Sequence, residues 1–177
     1  MNAKEFVKRI TDLRPNGDEL NTYDFLNGIF SADFKEFVIE EKSGVVDEDP
    51  IITLVKSYDL SSLDINNITL DNDYFDDGEY FCFGWDATGD RIAIYKSNGR
   101  IVAYDVYGDR ITFQCAENSE KFLEALVEIM KFYKEKGLND YDEETVDNRS
   151  KEVAYIAALK AGGEEYEDYY KSVLWVE

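Results

Sequence analysis

Residues 89–113, GDRIAIYKSNGRIVAYDVYGDRITF, carry one short pattern three times. A turn residue or pair is followed by Arg-Ile and a few strand-forming residues, at Arg91-Ile92, Arg100-Ile101 and Arg110-Ile111. Clusters of glycine, asparagine and aspartate that separate runs of β-branched and aromatic residues are typical of antiparallel hairpins. The sequence therefore predicts a meander of strands at Tyr80–Trp85, Arg91–Lys96, Arg100–Asp105 and Arg110–Cys115.

The Asn98-Gly99 pair sets the expected register of the central hairpin. Both residues of a type I′ turn need positive φ, which asparagine and glycine tolerate. A two-residue turn would place Tyr95 opposite Val102. Alternation across the pleat gives the sheet two faces of different character. The aliphatic face contains Ile92, Ile94, Ile101 and Ala103, and the arginine–tyrosine face contains Arg91, Ala93, Tyr95, Arg100, Val102 and Tyr104. To keep Ile111 and Phe113 on the aliphatic face, we expect an odd-length loop or a bulge around residues 107–109.

Helical periodicity flanks this sheet on both sides. Helices are predicted at Asn2–Leu13, Ser31–Lys42, Ser119–Lys136 and Glu164–Leu174. A further helix is predicted to end at Gly162-Gly163, with Val146, Val153, Ile156 and Ala157 on its inward side. Between them, Ile51–Val55 is predicted as a short strand or a buried turn, and Asp71–Glu79 as an acidic loop. The fold class is therefore α+β: an antiparallel meander of four or more strands over about 80–115, with helices packed on one face. Residues 1–136 form the main domain, and 137–177 form a helical extension packed on the same domain.

The chain is strongly acidic, with 19 basic and 39 acidic residues and a net charge of −20. A field of this sign repels nucleic acids and anionic membranes and attracts cationic partners, including basic proteins. The alternative interpretation is that the negative charge only keeps the protein in solution. No secretory signal and no apolar run of membrane-spanning length is visible, so we expect a cytoplasmic protein. Cys82 and Cys115 fall within predicted strands and are expected to be reduced core residues.

The absence of histidine limits the possible chemistry. It removes Ser-His-Asp and Cys-His arrangements and the commonest zinc ligand. Paired carboxylates of the kind used in glycoside hydrolysis stay open, because 39 acids guarantee some close pairs in any fold. No spacing singles out one pair, so the sequence predicts no enzyme, no catalytic residue and no cofactor.

The acidic segment DNDYFDDGE, residues 71–79, invites comparison with a calcium loop. With Gly78 as the loop glycine, position 1 of an EF-hand would be Asp73, position 3 would be Phe75, and Gly84 would replace the closing glutamate. This mismatch predicts no metal site. The segment is expected to be a solvated loop or, alternatively, a patch for a partner, formed by Asp76, Asp77 and Glu79 at the start of the sheet.

The arginine–tyrosine face is the second candidate for partner binding. This face holds residue types enriched in interface anchors: Trp85, Tyr95, Tyr104 and Tyr107. Arg91 and Arg100 are placed to pair across the boundary with a partner. The same pattern is also typical of a half-solvated sheet face, and the C-terminal helices are another possible cover.

Two further stretches have a simpler interpretation. The segment Asp86–Asp90 lacks a lysine-serine pair or a glycine-rich cradle, so it is predicted as a turn in which Gly89 takes positive φ and Asp90 bonds locally. Both Asp86 and Asp90 stay candidate partner contacts because they adjoin the arginine–tyrosine face. Trp175, near the end of an aromatic stretch, is expected to seal a helix against the domain.

Three stretches resemble the SUKH superfamily of Smi/Knr-like domains. SADFKEFVIEEKSG (31–44) is similar to the first family signature, YFCFGWDATGDRIAIYKSNGRIVAY (80–104) to the second, and ENSEKFLEALV (117–127) to the closing helix. The chain departs from the pattern where Ser31-Ala32 replaces the usual proline and where Val45 replaces a second glycine. In this resemblance, Gly89-Asp90 occupies the place of a polar pair near the binding groove of the family.

The resemblance implies binding rather than catalysis. Immunity proteins of this superfamily neutralise a toxin by occluding its active site, and many such toxins are basic nucleases or deaminases. The acidic charge of this chain fits a cationic target independently, because opposite charges accelerate association. The expected partner is therefore a cognate, cationic toxin protein. A regulatory scaffold domain is the alternative function, and a carboxylate-dependent glycoside hydrolase is a further one.

Overall fold

The computed structural model describes residues 1–19 and 37–177, except for the side chains of residues 71 and 72. The helices are α1 (Ala3–Asp12), α2 (Pro50–Ser57), α3 (Ser119–Leu138), α4 (Glu143–Ala161) and α5 (Glu167–Leu174), with a 3₁₀ turn at Glu164–Tyr166. The strands are β1 (Glu40–Glu41), β2 (Tyr58–Asp59), β3 (Asp64–Ile65), β4 (Ile68–Asp76), β5 (Tyr80–Trp85), β6 (Arg91–Tyr95), β7 (Arg100–Asp105) and β8 (Arg110–Ala116).

Within the described residues, β3 to β8 form a six-stranded antiparallel sheet in the order of the chain. This is the predicted meander, extended by two strands at its N-terminal edge. A separate two-stranded sheet joins β1 to β2. The helices and the large sheet confirm the α+β class. None of the described helices combines the length and the apolar character needed to cross a bilayer.

The register of the central hairpin differs from the prediction by two residues. Tyr95 lies opposite Arg100 rather than Val102. The backbone N–H groups of Asn98 and Gly99 both donate to the Tyr95 carbonyl, at 3.2 and 2.8 Å, and Gly99 has φ +75°. The connection is therefore a four-residue loop, Lys96 to Gly99, in which glycine alone takes the left-handed conformation. Because the side-chain period of a strand is two, a shift of two residues leaves both predicted faces unchanged.

The expected irregularity between β7 and β8 is present, but it lies in the strand and not in the turn. Tyr104 pairs with Ile111 and Ala103 pairs with Phe113, so Thr112 is the extra residue. Ile111 consequently packs beside Tyr104, which corrects the prediction, while Phe113 faces the core as expected. The bulge absorbs the mismatch because one unpaired residue changes which side chains face the core, and a second register shift follows at Cys115, between the Val102–Gln114 and Ile101–Ala116 pairs.

The main core lies between the aliphatic face of the sheet and the helices. The predicted aliphatic residues of β6 and β7 are buried there, and α3 covers them with its apolar stripe: Phe122, Leu123, Leu126, Ile129 and Met130. Residues of α4 and α5 belong to the same buried cluster. Cys115 lies in this core and Cys82 lies under the opposite face, both as free thiols.

Three segment predictions need correction. Of the predicted helix Ser31–Lys42, residues 31–36 lie outside the described residues, and residues 37–42 are extended, with β1 at Glu40–Glu41. Ile51–Val55 is helical, because Asp49 caps the first turn and Pro50 occupies its first position. Most of Asp71–Glu79 belongs to β4, which continues to Asp76.

The C-terminal helices pack on the core side of β8. The Tyr170 hydroxyl donates to the Cys115 carbonyl at 2.9 Å, and the ring centroid of Tyr169 lies 5.9 Å from that of Phe113. The proposal that these helices cover the arginine–tyrosine face is therefore wrong. Trp175 does not seal a helix, since 72% of its surface is exposed.

Asp49 connects the starts of two helices, so its loss is expected to destabilise the fold. One carboxylate oxygen accepts from the backbone of Ile51 at 2.8 Å, and the other accepts from the buried Ser119 hydroxyl at 2.6 Å. We expect Asp49→Ala to lower the free energy of unfolding by about 1.5 kcal/mol, since both a cap and a buried partner disappear. Urea unfolding checks this. Asp49→Asn, which retains a capping oxygen, should cost less than half as much, and equal losses would contradict the capping role.

Candidate functional site

The face of the sheet opposite the main core is exposed to solvent and lined by aromatic residues. We call it the aromatic face. Cys82, Ala93 and Val102 lie opposite one another on β5, β6 and β7 and form its buried floor. Because these three side chains are small, the larger residues around them can fold over the floor. The aromatic face comprises Phe75, Tyr80, Trp85, Arg91, Tyr95 and Tyr104.

Three tyrosines stack across the middle of the aromatic face. The buried ring of Tyr80 lies 5.1 Å from that of Tyr95 and 4.6 Å from that of Tyr104, at interplanar angles of 20° and 25°. The Tyr104 hydroxyl donates to Asp109. That carboxylate raises the pKa of Tyr104 to about 12, because it accepts a hydrogen bond that only the protonated phenol can donate. Stacking and this hydrogen bond fix the orientation of the rings before any partner arrives.

Arg91 lies between two partly exposed rings. Its guanidinium carbon is 3.6 Å from the ring centroid of Trp85 and 5.2 Å from that of Phe75. A cation held over an indole is favourable, and a guanidinium also stacks as a flat group. Trp85 nevertheless leaves 36% of its surface exposed. The three side chains thus form a rigid apolar edge with an embedded positive charge.

A bulge in β5 determines that Trp85 lies on this face. Cys82 pairs with Ala93, but Gly84 pairs with Ile92 and Trp85 with Arg91, so Phe83 is the extra residue. Strict alternation from Cys82 would have turned Trp85 into the core. Gly84 is required at the bulge, because a Cβ atom there would lie 2.5 Å from the Thr69 carbonyl oxygen.

Carboxylates border one end of the aromatic face. Asp76 pairs with Lys96, which, together with the N–H of Gly78, lowers the pKa of Asp76. Asp77 accepts from the backbone N–H of Glu79 at 2.9 Å and of Tyr80 at 2.7 Å, and this forms the tight β4–β5 turn. Asp77 and Glu79 are exposed. Among the described residues, no group of three histidine, cysteine or acidic side chains is arranged to hold a metal ion.

Asp86 and Asp90 have structural partners within the β5–β6 turn. The buried Asp86 carboxylate accepts from the Thr88 backbone at 3.0 Å, from the Thr88 hydroxyl at 2.7 Å and from the Asp90 backbone at 3.1 Å. Asp90 therefore bonds locally as expected, through its backbone N–H and carbonyl, while the carboxylate at the centre of the turn is that of Asp86. The Asp90 carboxylate accepts from the Thr112 hydroxyl at 2.6 Å, which ties the turn to β8. Gly89 has the expected positive φ, +85°.

The remaining predicted contacts lie at opposite ends of the sheet. Arg100 is exposed beside Tyr95, near the β6–β7 loop. Tyr107 occupies the β7–β8 turn and is fully exposed, at 100%. The structure therefore gathers Trp85, Tyr95 and Tyr104 on one face, and places Asp76, Asp77, Glu79, Arg100 and Tyr107 around its margins.

Sequence reasoning missed Phe75 and Tyr80. The sequence predicts a loop at Phe75 and only the start of a strand at Tyr80. The pair Asp77-Gly78, flanked by aromatic residues on both sides, is a strong short hairpin signal. This hairpin signal would have extended the predicted sheet to β4 and placed the rings of Phe75 and Tyr80 on the aromatic face.

Similarity to known proteins does not point to a functional site in this chain. Comparisons of the chain with protein-family models, with curated proteins and with solved structures find no significant match. The geometry of the aromatic face is therefore what a functional argument must start from.

Proposed function

We propose that the protein is a binding module whose aromatic face covers a cationic partner protein, and that this partner is a toxin neutralised by stoichiometric occlusion. One observation carries the proposal: a fixed cluster of partly exposed aromatic rings, on a sheet face that no described helix covers, beside exposed carboxylates. Aromatic and arginine side chains in such clusters supply most of the energy in many protein interfaces.

Charge supports a cationic partner. The net charge of −20 attracts a basic protein over a distance set by the ionic strength, and this raises the association rate. Near the face, Asp77 and Glu79 are exposed carboxylates that a lysine or arginine of the partner can approach. Asp76 contributes less, because Lys96 already pairs with it.

The toxin is proposed on the strength of the SUKH-like motifs. The second motif, residues 80–104, corresponds to β5, β6 and β7, which supply most of the aromatic face. A protein that covers the active site of a toxin needs a preformed surface rather than a catalytic group. We place this encounter in the cytoplasm, as expected from the sequence.

Mixing the purified protein with the toxin encoded by the neighbouring gene tests this proposal. We expect a one-to-one complex, inhibition of the toxin at equimolar ratio, and an association rate that falls about tenfold between 50 mM and 500 mM salt. Stopped-flow fluorescence measures the rate. The double variant Asp77→Asn, Glu79→Gln should associate more slowly at low salt. The double variant Asp12→Asn, Asp18→Asn removes two exposed acids outside the sheet and serves as the control for charge number.

Two outcomes would contradict the proposal in different ways. The absence of a complex would exclude the immunity function for that toxin. A complex whose association ignores salt would remove the electrostatic argument. If the protein instead captures one defined endogenous protein in cells that lack any toxin gene, the regulatory scaffold function is the better description.

A further inference from the structure

A groove on the helical side of the molecule has no role in the function proposed above. It has a volume of about 460 Å³ and lies between the end of α3, the start of α4 and the residues that follow α5. We call it the C-terminal groove. Its aromatic lining consists of Phe132, Tyr133, Tyr141 and Trp175. The volume is within the range of sites that bind small groups and side chains.

The aromatic walls of the C-terminal groove are fixed by hydrogen bonds. The Tyr133 hydroxyl donates to the side chain of Asn66. The Tyr141 hydroxyl donates to Glu135 at 2.9 Å, and Arg149 holds the same carboxylate at 2.8 Å. Both rings therefore keep their positions without a ligand, so little conformational entropy is lost when a ligand binds.

Trp175 is the exposed member of this lining. It follows α5 with φ +57° and ψ +42°, a left-handed conformation that glycine usually takes at this place. Its backbone N–H bonds to the Ser172 carbonyl at 3.3 Å, which closes the helix end. The backbone thus holds a large, flat indole at the mouth of the groove with 72% of its surface in water.

The chain segment that begins α4, beside the C-terminal groove, is acidic. Residues 139–148 include five acids and no lysine or arginine. Of these acids, Glu143 and Asp147 line the groove, together with one base, Lys136. Asp147 pairs with Lys151 one helical turn away, and such an exposed pair is weak. The buried Ser150 also lines the groove.

We propose that the C-terminal groove binds an arginine side chain of a protein partner, with the guanidinium on the Trp175 indole and paired with Glu143. The same molecule shows this chemistry elsewhere, since the Arg91 guanidinium lies 3.6 Å from the Trp85 ring centroid. Arginine suits the site better than lysine, because a planar group stacks on an indole and also meets a carboxylate in the same plane. This inference does not rest on the toxin-binding function.

Nuclear magnetic resonance tests the proposal directly, because the chain has only two tryptophans. The indole N–H signals of Trp85 and Trp175, assigned with Trp85→Phe and Trp175→Phe, report on the aromatic face and on the groove separately. The probe is the peptide acetyl-Gly-Arg-Gly-amide. We expect a saturable shift of the Trp175 signal, and binding at least fivefold weaker for the peptide with citrulline, which has the same shape without the charge.

Matched variants complete the test. Glu143→Gln should weaken binding of the arginine peptide about threefold, whereas Glu144→Gln, an exposed neighbour that does not line the groove, should leave it unchanged. No saturable Trp175 shift, equal binding of arginine and citrulline, or equal binding of arginine and lysine peptides would each overturn the proposal. These outcomes are independent of toxin binding, because the indole signal of Trp85 reports separately on the aromatic face.

Discussion

Replacing Trp85 with alanine is expected to weaken the proposed complex with a cognate toxin thirty- to a hundredfold, or about 2 to 3 kcal/mol. The indole supplies exposed apolar area, and it also holds Arg91, whose guanidinium lies 3.6 Å from the ring centroid. Its removal deletes one anchor and releases a second side chain from its fixed position. Surface plasmon resonance on the purified proteins measures the dissociation constant.

The matched control for this variant is Tyr155→Ala. Tyr155 is an aromatic residue on α4 with a similar exposed fraction, 40% against 36% for Trp85, but it lies outside the sheet. Its replacement should change the dissociation constant less than twofold. If both variants weaken binding equally, or if Trp85→Ala binds as tightly as the parent protein while its thermal unfolding is unchanged, the aromatic face is not the interface.

The substitution Gly84→Ala is expected to lower the free energy of unfolding by about 3 kcal/mol. The added methyl group would lie 2.5 Å from the Thr69 carbonyl oxygen, and a backbone oxygen in a paired strand cannot move aside cheaply. The β4–β5 pairing must then open locally, or the bulge must shift. Urea unfolding followed by circular dichroism measures the loss.

Gly44→Ala provides the comparison for Gly84→Ala. A Cβ atom on Gly44 has no neighbour within 4 Å, and its backbone does not require positive φ. This substitution should be neutral or slightly stabilising, because alanine restricts the unfolded chain. A loss of similar size in both variants would mean that the close approach at Gly84 is not what constrains that position.

The sequence predicted the meander and its two faces because both depend on local signals. The Arg-Ile repeats and the Asn98-Gly99 loop mark strand starts and a turn, and alternation assigns the faces independently of the exact loop length. The apolar stripe of α3 could be predicted for the same reason, because helical periodicity is also a local signal. Of the candidate site, Tyr95 and Tyr104 lie on the face that alternation predicted, and Trp85, named with them as an anchor, lies on the same face. Tyr107, named in the same set, lies in the β7–β8 turn.

What the sequence did not reveal depends on contacts between distant residues. The apolar run of α2 predicts a short strand or a buried turn, and its helical state depends on Asp49, which also bonds to Ser119 seventy residues later. Tyr80 on β5 stacks on Tyr104 on β7, across β6, and this contact requires small side chains on the floor of the face. Similarly, no local pattern distinguishes a buried Asp86 from an exposed one, because burial follows from how the turn docks on β8.

The bulge at Phe83 has a consequence for comparison among related chains. A homologue of equal length that paired without this bulge would point its tryptophan toward the hydrophobic interior. A homologue that lacked the extra residue would instead pair regularly and keep the tryptophan opposite Arg91, at the cost of the core residue Phe83. The pairing at this single place, and not only the identity of the aromatic residue, would then decide whether a relative keeps the aromatic face.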